Sequence, residues 1–279
     1  MTKHTNDTGL TLVLGGTGKT GRRVAERLEA LGVPVRIGSR TADRPFDWTD
    51  EGTWAPALRD AAAVYLVYYP DLAAPGAPAA IAAFTAAAEA AGVRRVVLLS
   101  GRGEEEARAC EEIVRASGLA WTIVRASWFA QNFSEDYLLD PVRGGEVVLP
   151  AGDVPEPFVD AGDIADVAAA ALTQDGHAGR VYELTGPRAL TFAEAVAEIA
   201  GAAGRDVRYV RVTPEEYAGA LEGHGVPAEV AGLLTYLFTT VLDGRNSGVG
   251  DGVRRALGRD ARDFADYARE TAATGVWNA

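Results

Sequence analysis

The stretch Leu10-Thr11-Leu12-Val13-Leu14-Gly15-Gly16-Thr17-Gly18-Lys19-Thr20-Gly21-Arg22-Arg23-Val24-Ala25 decides the fold. A short apolar run ends in glycines at three-residue intervals, and an amphipathic helix begins directly after them. The apolar run reads as a buried parallel strand. Gly15 lets the chain turn sharply at its end, Gly18 lets backbone approach a pyrophosphate, and Gly21 lets the following helix pack close to the sheet. The helix N-terminus then offers unpaired N–H groups and the positive end of its dipole to phosphates. A glycine triplet alone says little, but with a strand before it and a helix after it the pattern is that of a dinucleotide-binding turn.

Outward from this turn, strands and helices alternate. A helix over Arg22–Leu31 closes at Gly32, and Val33–Gly38 reads as a second strand. Arg44–Trp48 reads as a third strand, and Thr53–Asp60 as a helix. The β-branched and aromatic run Ala63–Tyr69 reads as a fourth strand. An alanine-rich helix over Ile81–Ala91 ends at Gly92. Val93–Ser100 is a fifth strand, continuously apolar in its second half as buried parallel strands are. A helix over Glu104–Ser117 ends at Gly118, and Ala120–Arg125 is a sixth strand. Right-handed crossovers turn such an alternation into a doubly wound parallel sheet, the α/β Rossmann-type fold.

From about Ser127 the rhythm changes. Strands are expected over Glu146–Pro150, Val181–Thr185 and Arg208–Val212, and a helix over Asp163–Thr173 capped by Gly162 or Asp163. Thr191-Phe192-Ala193-Glu194 is a capping box, and Thr213-Pro214-Glu215-Glu216 opens another helix. The expected organisation is a nucleotide-binding domain over residues 1–150 and a smaller C-terminal α/β lobe over 151–279, with a soft boundary because later elements can return to the main sheet.

Bulk properties narrow the function. The chain has 279 residues and a net charge of −12, with no basic block, which argues against nucleic acid or an anionic membrane as main partner. Its one cysteine, Cys110, excludes an intramolecular disulfide, and His4, His177 and His224 show no ligand spacing, so no metal is expected. Met1–Gly9 is polar and no apolar run reaches the roughly 20 residues of a membrane span. A cytoplasmic protein is the expectation.

The cofactor's flavour is read about 20 residues beyond the glycines, where a carboxylate would hold a ribose 2′-hydroxyl. This chain has Gly38-Ser39-Arg40-Thr41 there. A guanidinium beside a hydroxyl suits a 2′-phosphate, so NADP(H) is expected over NAD(H). Thr17, Lys19 and Thr20 lie inside the turn within reach of phosphate. Asp47 and Trp48, at the end of the expected third strand, are placed to flank adenine.

Several segments resemble the NmrA-like branch of the atypical short-chain dehydrogenases/reductases. They are the glycine turn Leu14–Gly21, Val96–Ser100, Ala116–Arg125, Trp128–Phe133 and Asp163–Ala168. The resemblance implies a cofactor lying across the carboxyl edge of the sheet and substrate between the lobes; Tyr68, at the end of the fourth strand where open α/β sheets bind ligands, and Ser100 are expected beside the cofactor. Conventional members of the superfamily use a Ser, Tyr and Lys set, the last two as YxxxK. Ser100 stands near the serine position. By register Ala107 falls at the tyrosine and Glu111 at the lysine, and no tyrosine occurs between Tyr69 and Tyr137.

A missing acid constrains the chemistry. Hydride addition to a simple ketone builds an alkoxide, and without a positioned acid the step forfeits about a hundred- to ten-thousand-fold in rate. Hydride addition to a quinone builds a phenolate-like anion whose conjugate acid has a pKa of about 10. An NADPH-dependent reductase acting on a quinone, enone or polycyclic aromatic ketone is therefore expected. Tyr69, Trp128, Phe129, Asn132 and Phe133 are candidate substrate contacts, as aromatic-lined pockets with few polar groups are typical; the rings serve equally well as core between lobes. Tyr236 and Phe238 either roof the pocket or form a helix core, with core the better fit. The alternative function is a non-catalytic NADP(H)-binding sensor that engages a protein partner.

Overall fold

The computed structural model describes residues 9–278; the opening stretch 1–8, with His4, lies outside them. The chain runs β1 (Leu10–Leu14), α1 (Gly21–Ala30), β2 (Val35–Gly38), α2 (Trp54–Leu58), β3 (Ala61–Leu66), α3 (Ala77–Ala90), β4 (Arg95–Gly101), α4 (Glu105–Arg115) and β5 (Ala120–Ala126). It continues through α5 (Asn132–Glu135), α6 (Leu139–Gly144), β6 (Glu146–Leu149), α7 (Ala161–Thr173), β7 (Arg180–Leu184), α8 (Phe192–Ala203) and β8 (Arg208–Arg211). Helices α9 (Pro214–Gly223) and α10 (Ala228–Tyr236), a π-helical turn (Leu237–Val241), α11 (Gly252–Leu257) and α12 (Phe264–Ala273) complete it.

Two compact units share these elements, and each is discontinuous in sequence. The first takes the chain up to Ala126, then Ala161–Leu184 and Gly252–Arg259. The second takes Ser127–Asp160, Thr185–Asp251 and 260–278. The chain therefore crosses between units five times, where the sequence alone suggests one soft boundary near 150. The crossings follow from β7, which completes the main sheet, and from α7 and α11, which cover it.

The first unit is a six-stranded parallel sheet in the order β2-β1-β3-β4-β5-β7, the expected Rossmann-type fold. Helices α1, α7 and α11 pack together as one layer, and α2, α3 and α4 as another. Strands β1 and β3 are buried nearly throughout and β4 over Val96–Leu98, which explains their unbroken apolar runs. The segment Asp163–Ala168 lies in α7, where Asp163 and Asp166 both accept from Arg259 Nη2 (2.7 and 2.6 Å) and Asp166 also takes Arg27 Nε at 3.0 Å. That pairing explains why two carboxylates sit on an otherwise alanine-rich buried helix.

Several local expectations change. Arg44–Trp48 forms no strand, only an isolated bridge between Asp47 and Asp50. Pro45 has no N–H to donate, and the Asp47 carboxylate accepts from Thr49 N and Oγ1 at 2.9 and 2.8 Å, turning the chain on itself. The Asp47 carbonyl takes Trp54 Nε1 at 2.8 Å, and the Phe46, Trp48 and Trp54 rings pack together with Phe84. The alternating aromatics build a cluster instead of a strand. The fourth expected strand stops at Leu66, so Tyr68 and Tyr69 lie beyond its end. The Thr53–Asp60 helix is a 3-10 turn (Glu51–Thr53) followed by α2. Helix α7 starts at Ala161, before Gly162 and Asp163. Gly32 and Gly92 close their helices in the left-handed region, with φ of 72° and 84°, whereas α4 ends at Ala116 without a left-handed glycine.

The second unit pairs β6 with β8 in parallel and wraps helices around an aromatic core. Both expected helix starts are capping boxes: Thr191 Oγ1 accepts from Glu194 N, and Thr213 Oγ1 from Glu216 N.

The glycine turn makes the sharpest demand on the sequence. A Cβ on Gly21 would lie 2.2 Å from Gly15 O, whereas one on Gly32 meets nothing within 4 Å. Gly21→Ala is expected to lower stability by about 1–3 kcal/mol or more through backbone collision and to abolish dinucleotide affinity. Gly32→Ala is expected to cost only the left-handed penalty of about 1–2 kcal/mol and to leave affinity intact. Urea unfolding and fluorescence titration of both variants check this; equal losses of affinity would contradict it.

Candidate functional site

All six strands of the main sheet point the same way, so their carboxyl ends form one edge. The strand order reverses between β1 and β3, and open α/β sheets bind ligands in the crevice at that point. β1 reaches the edge through the glycine turn. Gly15 adopts φ 60°, its N–H donates to Gly38 O at 3.0 Å, and Gly18 N–H donates to Gly15 O at 2.8 Å. Thr17 and Gly18 face outward, Lys19 is half-buried, and Thr20 is buried beneath. A side chain on Gly16 would strike Ile37 at 2.8 Å, and one on Gly18 would crowd Gly15 O at 3.3 Å. The N-terminal turn of α1 has no side-chain cap at Thr20 and no acidic residue. Backbone donors exposed at a close-packed turn fit a pyrophosphate, and a bare helix N-terminus favours its charge.

Beyond β2, Ser39 Oγ lies 3.4 Å from Thr41 Oγ1, and Arg40 is exposed with its charge acting on Asp47. Trp48 is held by its Nε1 bond to Val67 O (3.1 Å) and sits edge-on to Tyr68 at 4.9 Å. The structure thus brings Asp47, Trp48 and Tyr68 together beside the crevice, although through a turn and an aromatic cluster rather than a strand end. Tyr69 is 73% exposed.

At the end of β4, Ser100 is buried and donates to Glu111 Oε1 at 2.7 Å. Arg125 on β5 clasps the same carboxylate through Nε (2.8 Å) and Nη2 (2.5 Å) and reaches Glu183 on β7 at 3.0 Å. Glu111 is 1% exposed, and this carboxylate partner holds the Arg125 guanidinium above its ordinary pKa. The position that the register gives to a lysine therefore holds an anion, tied to Ser100 and neutralised by arginine. Ala107 is fully buried. Cys110 is buried on the same helix, and burial pushes its thiol up to about 11, a packing cysteine rather than a nucleophile.

Two carboxyls that the sequence reading did not single out meet at this edge. Asp71, after β3, accepts from Ala73 N at 2.8 Å. Glu104, ahead of α4, is 7% exposed and lies within hydrogen-bond distance of Asp71. A Cβ on Gly101 would fall 2.1 Å from Glu104 Oε1, so the bare Gly101 leaves the room that the carboxyl fills. Burial first, then the charge of Asp71, pushes Glu104 up to about 9; burial raises Asp71 as well. The run Glu104-Glu105-Glu106 reads as ordinary dipole-matching acid at a helix start. A lone glycine ending an apolar strand was the available sign of a close approach.

In the second unit the Trp128 ring packs on Phe192 and Phe238 at 5.4 and 4.7 Å, and the Trp128 backbone N–H donates to buried Glu156 Oε1 at 3.4 Å. Phe133 has no exposed surface and packs on Phe158, Phe192 and Phe264, which makes it a core ring. Phe129 and Asn132 are half-buried, and Gln131 Nε2 donates to Asp160 at 2.8 Å. Phe238 is core, Tyr236 half-buried. His177 is a satisfied buried histidine, 2.9 Å from Tyr182 Oη. No described helix is long and apolar enough to cross a membrane.

A family model described as NAD(P)H-binding matches residues 15–175. The chain is 35% identical to an NAD(P)H azoreductase of Xenophilus azovorans, over 94% of this chain and 98% of the relative. In fold it is similar to a nucleoside-diphosphate-sugar epimerase of Staphylococcus aureus (TM-score 0.79, 18% identity, 93% of this chain and 99% of that one). It is also similar to an NADPH-dependent quinone oxidoreductase of Escherichia coli complexed with NADPH (TM-score 0.74, 23% identity, 94% and 99%).

Two expected outcomes test the electrostatics. Arg125→Met strands the buried Glu111 charge and is expected to cost about 3–5 kcal/mol in urea unfolding. For Glu104 the sign follows from a raised folded pKa. Its contribution to stability is complete below the unfolded value of 4.5 and is lost as pH rises toward about 9. Glu104→Gln, neutral throughout, is expected to flatten the fall in Tm across that window. An unchanged slope would mean that Glu104 is ionised in the folded protein.

Proposed function

The chain belongs to the NAD(P)H-binding family and has the fold of its NmrA-like members, and from that premise we propose an NADPH-dependent reductase whose acceptor is a quinone-like, azo or conjugated carbonyl compound. The observation that carries the choice of acceptor is the anion at the lysine position. Glu111, clasped by Arg125 and Ser100, offers no ammonium to lower a neighbour's pKa, and Ala107 offers no hydroxyl. With Ser100 committed to Glu111, an alkoxide forming on a simple ketone has neither the usual donor nor the usual oxyanion contact. A hydroquinone-type or hydrazine-type product does not need them to the same degree.

When bound, the dihydronicotinamide supplies a hydride. The chain's own residues bind and orient. Outward-facing Thr17 and Gly18 and the uncapped start of α1 take the pyrophosphate. Ser39 and Arg40 take the 2′-phosphate, with Lys19 and Thr20 supporting the phosphates. Trp48 and Tyr68, locked edge-on, present aromatic surface beside the crevice, and Tyr69 adds an exposed ring. Within the second unit, Trp128, Phe129 and Asn132 are only half-buried and keep surface that suits a flat acceptor. Phe133 contributes by holding the aromatic core that positions them.

Purified protein is expected to oxidise NADPH with a quinone or azo dye and not with an unconjugated ketone. Arg40→Glu is expected to weaken NADPH by about tenfold or more while changing NADH little, because only NADPH carries the phosphate that Arg can grip. Fluorescence titration with both cofactors measures this. Equal affinity of the wild-type protein for the two would remove the NADPH preference. Binding without turnover of any acceptor, accompanied by a redox-dependent protein association, would instead favour the sensor reading.

A further inference from the structure

The carboxyl edge of the sheet carries one group that the proposed chemistry leaves unexplained. Glu104 is more than nine-tenths buried, and no N–H or O–H donor among the described residues meets its Oε2. Its near neighbour is another carboxyl, Asp71, whose own bond from Ala73 N fixes it in place. The charges acting on Glu104 come from Asp71 on the loop after β3 and from Glu106 and Glu111 on α4, and all are negative. The neighbouring Arg125 is bound to Glu111 and Glu183, and Arg102, in the turn ahead of Glu104, pairs with Glu183 at 3.4 Å. Cys110, facing the pair from α4, is a neutral thiol. Two carboxylates at hydrogen-bond distance without a cation cannot both be ionised at modest cost, so one proton must be resident on the pair.

Its place gives that proton a use. Asp71 follows β3 and Glu104 follows β4, adjacent strands whose carboxyl ends border the crevice at the β1–β3 switch point. The pocket that Gly101 leaves holds the Glu104 head group against the strand end.

We propose that Asp71 and Glu104 hold a single proton between them and that Glu104 delivers it to the reduced acceptor, the role for which α4 has no tyrosine. This rests on the reductase reading. In the reaction the acceptor gains a hydride with its two electrons, and the dihydronicotinamide is oxidised to nicotinamide. The acceptor oxygen or nitrogen that becomes anionic then forms its bond to hydrogen as the Glu104 O–H bond breaks. The pair, left with two negative charges, regains a proton from water.

The test has two arms on the full chain, comparing wild type with Glu104→Gln and Asp71→Asn. The first is a difference proton titration with infrared detection of the protonated carboxyl, on protein without cofactor. Wild type is expected to retain one carboxyl proton at neutral pH and release it toward about 9, and Glu104→Gln to lack that step. Full ionisation of both carboxyls at neutral pH would overturn the proposal whatever the kinetics. The second arm measures turnover against quinones graded by the acidity of their hydroquinones. Glu104→Gln is expected to lose about a hundredfold or more in kcat with the most basic product, and little with the most acidic, at constant NADPH affinity. Equal loss along the series would mark a merely structural role and overturn proton donation alone. A wild-type protein that reduces none of them would overturn the reductase reading and the donor role together, with the titration still reporting whether the pair holds its proton.

Discussion

The approach of Gly21 to the backbone of Gly15 is the contact on which the nucleotide-binding half of this protein depends. Atoms of the two residues lie where a single methyl would collide with a carbonyl at 2.2 Å, so the turn exists only without side chains. Because it exists, β1 passes into α1 within a few residues, and the first turn of that helix faces the same edge as every other strand end. The parallel sheet then does the rest. Its strands deliver Val67 through Pro70, Ser100 through Glu104, and Ala126 to one side of the unit, however far apart these residues lie in sequence.

A second constraint is electrostatic. The edge gathers Asp71, Glu104 and Glu111 within a small volume, and the chain treats them differently. Glu111, almost wholly buried, meets a two-pronged guanidinium and a serine hydroxyl. Glu104 meets another carboxyl and no cation, so burial drives it toward the neutral acid. One sheet edge thus holds a carboxyl clasped by a guanidinium and, nearby, one that burial pushes toward the neutral acid. Carboxyls placed in such different surroundings are the arrangement from which acid–base assignments are ordinarily drawn.

The two units also differ in how they use aromatic residues. In the first, Phe46, Trp48, Trp54, Tyr68 and Phe84 form a cluster beside the crevice, with Trp48 and Tyr68 only half-buried. In the second, Phe133, Phe158, Phe192 and Phe264 are buried completely or nearly so and serve as the core, while Trp128 and Phe129 keep exposed surface. The same residue type is therefore enclosed in a core or left with an open face according to how many rings surround it. A ring enclosed on every side has no face left for a ligand.

Local rules settled much of this in advance. The glycine spacing, the apolar strands β1, β3, β4 and β5, and the two capping boxes depend on residues close in sequence, and each was legible there. So was the absence of a tyrosine and lysine from α4, since register along one helix is a local property. What sequence could not supply was the outcome of competition between distant groups. Whether Phe46 and Trp48 line a strand or fill a cluster depended on Trp54 and Phe84, and on Asp47 spending its hydrogen bonds within its own turn. The return of α7, β7 and α11 to the first unit was decided by the open edge of β5 and the uncovered sheet face, which no short window contains. The meeting of Asp71 with Glu104 was decided by the pairing of β3 with β4. Charge in a sequence is only a count; its energy depends on distance and burial, and those appear only when the chain has folded.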